Sequence, residues 1–93
     1  MPVKVKVPAY LRKLTEGLSE VEVAAGEVSA LLRQLEERFP GLEERLRDGE
    51  GRLHRSVNIF VNGENVRFLD GLSTPVKDGD EVSIIPLVAG GEP

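Results

Sequence analysis

Apolar and charged residues alternate at period two from Val3 to Val7. The valines of this VKVKV run take one face of a strand, and Lys4 and Lys6 take the other. Pro8 ends the strand or marks its edge, because proline cannot donate to a ladder. Tyr10, Leu11 and Leu14 read as a short connection. A second alternation at Val21 and Val23 predicts that the first two strands form a hairpin, and Gly26 then breaks the pattern. From Glu27 the period lengthens: Val28, Leu31, Leu32, Leu35 and Phe39 stand at i, i+3, i+4, i+7 and i+11. That is one face of an amphipathic helix, with Arg33, Gln34, Glu36 and Glu37 on the face toward water. Pro40 and Gly41 stop it. LEERL adds one further turn, with Leu42 and Leu46 as an i, i+4 pair, and RDGEG (Arg47 to Gly51) has the composition of a mobile loop.

The segment SVNIFVNGENVRF carries the clearest hairpin pattern. Val57, Ile59 and Val61 alternate with Asn58, Phe60 and Asn62. Asn62-Gly63 is a tight-turn pair, since both residues tolerate positive φ. Val66 and Phe68 are expected to continue the pairing. Asp78-Gly79-Asp80 then turns the chain into a last strand, EVSII, with Val82 and Ile84 on one face and Ile85 on the other. Two hairpins flank one helix, and the first and last strands are expected to meet in mid-sheet. This is an α+β architecture with one helix on one face of a mixed sheet, a ubiquitin-like β-grasp. The domain is expected over residues 1–86, and residues 87–93 read as a flexible C-terminal tail.

The chain has 93 residues, which suits one domain with a modest core. A net charge of -4 argues against a nucleic-acid partner, which needs clustered Lys and Arg, and leaves room for a basic protein surface. Absence of cysteine excludes disulfides, thiolate metal sites and a cysteine nucleophile. No apolar run approaches the roughly 20 residues that span a bilayer, and the alternating start does not resemble a signal peptide. A cytoplasmic protein with no membrane association is expected.

Side chains suited to catalysis are sparse. His54 is the single histidine, so a transition-metal site would need carboxylates for its remaining ligands. No catalytic residue and no metal ligand is assigned. Asp78 and Asp80 lack the spacing of a calcium loop and read as a turn. The acidic run Glu36, Glu37, Glu43 and Glu44 reads as a solvated face, and the glycines build no phosphate-cradling loop. Phe60 stands apart. If Val57, Ile59 and Val61 pack on the helix, Phe60 must point to the opposite face, and Ile85 joins it there. A sheet with a single helix has nothing of its own to cover that side, so the pair suggests a partner face. The alternative is that Phe60 packs beneath the Arg47 to Gly51 loop.

The sequence closes with LVAGGEP. Gly90 and Gly91 carry no side chain, so the backbone there can enter a narrow cleft. Leu87, Val88, Ala89, Gly90 and Gly91, fully extended, reach roughly 17 Å. A β-grasp pattern followed by such an ending resembles the ubiquitin-like sulfur-carrier family. That family includes the small subunit of molybdopterin synthase, the thiamine sulfur carrier and the carrier of an alternative cysteine biosynthesis route. The resemblance covers nearly the whole chain and is densest in LHRSVNIFVNGENVRF and GLSTPVKDGDEVSIIPLVAGG. The first of these runs is most similar to the cysteine-pathway carrier.

The resemblance implies a protein cosubstrate rather than an enzyme. An E1-like adenylating enzyme would use ATP and magnesium to activate the Gly91 carboxylate, and the carrier itself would bind no cofactor. Sulfur would then give a Gly91 thiocarboxylate. The acceptor would be a cysteine synthase-like enzyme or the large subunit of molybdopterin synthase. Here Glu92 and Pro93 follow the second glycine, so the bond between Gly91 and Glu92 would first have to be cut, by a processing metalloprotease. Three alternatives stay open: a molybdopterin synthase small subunit, a modifier conjugated to lysines, and a β-grasp adaptor with no transfer chemistry.

Overall fold

The computed structural model describes residues 2–86. The chain runs from β1 (Val3–Lys6) to β2 (Glu20–Val23) and a two-residue β3 (Gly26–Glu27). Helices α1 (Val28–Arg38) and α2 (Leu42–Leu46) follow. Strands β4 (Val57–Val61), β5 (Glu64–Asn65), β6 (Pro75–Val76) and β7 (Glu81–Pro86) complete the order.

The main sheet has the order β2-β1-β7-β4-β5. β1 pairs antiparallel with β2 and parallel with β7, placing Val5 opposite both Val21 and Val82. β7 pairs antiparallel with β4, with Ile59 opposite Ile84. The first and last strands therefore lie side by side in the interior of the sheet, as the alternation predicts. This is the ubiquitin-like β-grasp. Leu31, Leu32 and Leu35 of α1 are buried against Val5, Ile59, Val82 and Ile84 of the sheet's inner face. Burying each such side chain stabilises the fold by about 1.5–3 kcal/mol, so these side chains carry much of the core.

Four local expectations change. The Tyr10–Leu14 connection is a 3-10 helix, Ala9–Thr15, that buries Leu11 and Thr15; Thr15 Oγ1 donates to Leu18 O at 2.9 Å. The strand after Asn62-Gly63 is only two residues long, and Val66–Phe68 forms a 3-10 helix instead of extending the ladder. The cause is Asn65, whose Oδ1 accepts the Arg67 N–H at 2.9 Å and so competes with strand pairing. Val66 is buried by this turn, while Phe68 is thrown outward. The Arg47–Gly51 segment is tied down: Asp48 Oδ1 accepts the N–H groups of Glu50 and Arg52, and Arg47 Nη1 donates to Gly51 O. Glu36 is not solvated, because its Oε2 lies 2.7 Å from Arg47 Nε in a largely buried pair. Spacing alone does not reveal that partner, which lies one helix further along the chain.

Candidate functional site

The face of the sheet turned away from α1 carries the residues out of phase with the core. Register puts Ser83 beside Phe60 on one side and Lys6 on the other, and Lys6 opposite Glu20. Ile85 stands opposite Asn58, one diagonal step from Phe60. The face thus divides. Lys4, Lys6, Glu20, Glu22 and Glu81 make its β1–β2 half charged, and Phe60 and Ile85 make its β7–β4 half apolar. Lys6 Nζ and Glu81 Oε2 are 3.0 Å apart, and the hydrogen bond to Glu81 with its charge raises the Lys6 pKa. Both side chains are half exposed, so the pair contributes little stability.

Phe60 is half-buried and Ile85 is 43% exposed. Phe60 does not sit under the Arg47–Gly51 loop: it lines a shallow groove of about 420 Å³ with Gly63, Phe68 and Leu69. Phe68 is 85% exposed and Leu69 is 43% exposed. The alternation pattern misses these two, because they follow a turn that breaks it. Only Asn65, a residue suited to capping such a turn, signals the break. The groove's inner wall is set by Asn62 and Gly63, at φ 51 and 88, a conformation that requires residues tolerant of positive φ. Asn62 Oδ1 also accepts the Glu81 N–H at 3.0 Å, which fixes the hairpin to β7.

The last described pair in the β4–β7 ladder is Val57 with Pro86, at the start of β4. The candidate tail residues Leu87, Val88, Ala89, Gly90 and Gly91, and the candidate processing pair Gly91 and Glu92, lie outside the described residues. His54 stands in the turn before β4, where its Nδ1 accepts the Ser56 N–H at 3.1 Å and lies 2.7 Å from Ser56 Oγ. This local pair has no carboxylate hydrogen-bonded to the ring among the described residues. Asp80 acts as a turn residue: its Oδ2 accepts the Lys77 N–H at 2.8 Å. That bond, helped by a hydrogen bond with Asn62, holds its carboxyl below the usual range. No helix among the described residues is long and apolar enough to cross a membrane. What the described surface offers is a set of exposed or half-buried apolar side chains, Phe60, Phe68, Leu69 and Ile85, on β4, on β7 and in the turn after β5.

Residues 5–91 match the model of the ThiS family. The chain is 46% identical over 93 residues to the sulfur carrier protein CysO of Mycobacterium tuberculosis, covering 98% of this chain and all of the relative. It is 49% identical over 65 residues to small archaeal modifier protein 3 of Haloferax volcanii, covering 69% of this chain and 68% of the relative. Among solved structures, a chain of the Amycolatopsis orientalis BexX/CysO complex superposes with a TM-score of 0.88 at 44% identity. That match covers 96% of this chain and 99% of the other.

Proposed function

The chain belongs to the ThiS family of ubiquitin-like sulfur carriers, and we propose that its Gly91 carries sulfur as a thiocarboxylate in cysteine or cofactor biosynthesis. The supporting observation is a full-length likeness to a sulfur carrier, with a family match that ends on Gly91. A free carboxylate is a poor electrophile, because its leaving group would be oxide. Attack of the Gly91 carboxylate on ATP forms an acyl-adenylate and releases pyrophosphate. Hydrosulfide then attacks the acyl carbon and displaces AMP, which leaves with the bonding pair, and loss of the S–H proton leaves a thiocarboxylate. The ATP and magnesium belong to the E1-like adenylating enzyme. The carrier supplies the docking face and the reactive end, and is consumed and regenerated as a cosubstrate in the cytoplasm.

Glu92 follows Gly91, so the Gly91 carbonyl is locked in an amide with nothing to adenylate. Hydrolysis of that amide, assigned here to a metalloprotease, must come first. The acceptor is a cysteine synthase-like enzyme or, in the molybdenum-cofactor alternative, the large subunit of molybdopterin synthase. ATP–pyrophosphate exchange with the cognate adenylating enzyme tests the scheme. A chain ending at Gly91 should support exchange, and the chain extended through Pro93 should not. Equal exchange by both would refute the processing step, and exchange by neither would refute the carrier reading in favour of a β-grasp adaptor. The likeness to the archaeal modifier protein favours a second reading, linkage of Gly91 to lysines. Intact mass spectrometry of protein from its native cell separates the two. A sulfur-for-oxygen gain marks a carrier, and higher-mass adducts mark a modifier.

A further inference from the structure

We propose that a cleft rimmed by Arg52, Arg55 and Arg67, next to the root of the tail, docks an acidic, partly apolar loop of the adenylating enzyme. This rests on the carrier reading above and adds to it a partner chemistry.

The cleft has a volume of about 510 Å³, with Leu53 and Leu72 among its lining residues. Its position follows from the shortness of β5, which covers only Phe60 and Val61 and leaves the Val57 end of β4 without a strand on that side. Arg67 fills the gap. Its Nη2 donates to Val57 O at 2.8 Å and His54 O at 3.0 Å, and its Nε donates to Asn58 Oδ1 at 3.0 Å. Val57 pairs with Pro86 on its other side, so β4 alone separates the Arg67 guanidinium from the last described residue of β7.

Three arginines line the cleft against one carboxylate, that of Asp48, in a chain whose net charge is -4. Asp48 Oδ1 is already engaged by the Glu50 N–H at 2.8 Å and the Arg52 N–H at 3.0 Å. Arg52 has one ion pair, 3.2 Å from Glu50, with both side chains well exposed; such a pair exchanges readily. No carboxylate among the described residues pairs with Arg55 or Arg67. The Arg55 guanidinium, and that of Arg52 on exchanging Glu50, can bind a carboxylate in a bidentate fork, whereas Arg67, with Nε and Nη2 already donating, keeps only Nη1. The apolar lining next to them suits a segment in which Asp or Glu flanks an apolar side chain.

Continuity favours a protein over a small anion. Asn58, held by Arg67, stands opposite Ile85 on the open face. The cleft and the open face are therefore joined through Asn58, which neighbours Ile85 across one strand pair. A protein that receives the tail covers both, whereas a phosphate or nucleotide would fill the cleft alone.

Titration calorimetry of the full chain with the cognate adenylating enzyme, at low and moderate salt, tests the proposal. Arg55→Glu should weaken binding by about tenfold or more and flatten the salt dependence, because reversing a steering charge acts mainly on association. Arg55→Gln should fall between, and Arg33→Glu on the exposed side of α1 should match the parent. Retained amide dispersion in NMR spectra would show that each variant folds. A Kd for Arg55→Glu equal to the parent's, while a chain ending at Gly91 still supports pyrophosphate exchange, would overturn the docking proposal alone. No binding by the parent, together with no exchange by a chain ending at Gly91, would overturn it along with the carrier reading. Saturable shifts of the Arg52–Arg55 amides with ADP or inorganic phosphate, and none with the enzyme, would overturn it in favour of a small-anion site.

Discussion

Phe68→Ala separates a binding surface from a packing defect. Phe68 is 85% exposed, so only a small part of its ring is removed from water within the chain. Fully burying a phenylalanine is worth about 1.5–3 kcal/mol, so covering the exposed part in a complex stabilises it by about 1.3–2.6 kcal/mol. At 1.4 kcal/mol per decade, truncation to alanine should weaken binding to the adenylating enzyme about eightfold to seventyfold. The part already buried within the chain accounts for under about 0.5 kcal/mol of folding stability. Titration calorimetry gives the first quantity and urea unfolding the second. A Kd within twofold of the parent would show that the partner does not cover this ring. A stability loss above about 1 kcal/mol would show that Phe68 packs in solution, against the geometry described here.

Phe60→Asp should also weaken that complex, with a modest loss of stability because the ring is half-buried; unchanged affinity in calorimetry would remove Phe60 from the partner face. Leu35 is fully buried on α1, so Leu35→Ala should cost about 2–5 kcal/mol in urea unfolding, and a loss under about 1 kcal/mol would refute the assigned helix phase. The carboxyls of Asp48 and Asp80 are held below the usual range by backbone N–H groups, those of Glu50 and Arg52 in one case and of Lys77 in the other. Their folded pKa values lie below the unfolded ones, so this stabilisation is complete above the ordinary aspartate value of about 3.9 and is lost as pH falls through the folded values. The urea midpoint should therefore drop below about pH 4, and the Asp48→Asn, Asp80→Asn double variant should flatten that drop; an unchanged pH profile in the variant would exclude both groups as its source.

Much of the fold is legible in the sequence because the sheet has one buried face. Alternation at Val3–Val7, Val57–Val61 and Val82–Ile84 specifies strand and facing at once, and the 3.6-residue spacing of Leu31, Leu32 and Leu35 specifies the helix. Elements fixed by single long-range partners are not legible in this way. The two-residue β3–β6 ladder is too short to show a period, and the Glu36–Arg47 pair joins residues whose spacing carries no helical or strand signal. The spacing of Phe68 from Val66 fits alternation and so predicts a strand. The deciding residue was Asn65, which satisfies an Arg67 N–H that a longer ladder would have needed. Of the candidate site, Phe60 and Ile85 were legible from facing alone, and Phe68, Leu69 and the arginine cleft were not, since all depend on where the chain turns after β5.

The placement of β7 explains why this fold suits a reactive chain end. β7 is paired on both sides, over five positions with β4 and three with β1. The start of β7 is held from both sides, and its described end at Pro86 is held by β4, the strand that carries Phe60 on the open face. An end that left from an edge strand would share the fraying of that edge. With the root fixed, chain geometry bounds the rest: five residues from Leu87 to Gly91 reach at most roughly 17 Å. A partner docked on Phe60 and Ile85 must therefore present its reactive pocket within that radius. Docking converts capture of Gly91 into an intramolecular event at high effective concentration. The same short tether excludes enzymes that match the face but hold their pocket further away. On the proposed carrier reading, specificity among acceptors can then reside in the sheet face and in the distance from it to the chemistry, although a reacting glycine has no side chain with which to discriminate.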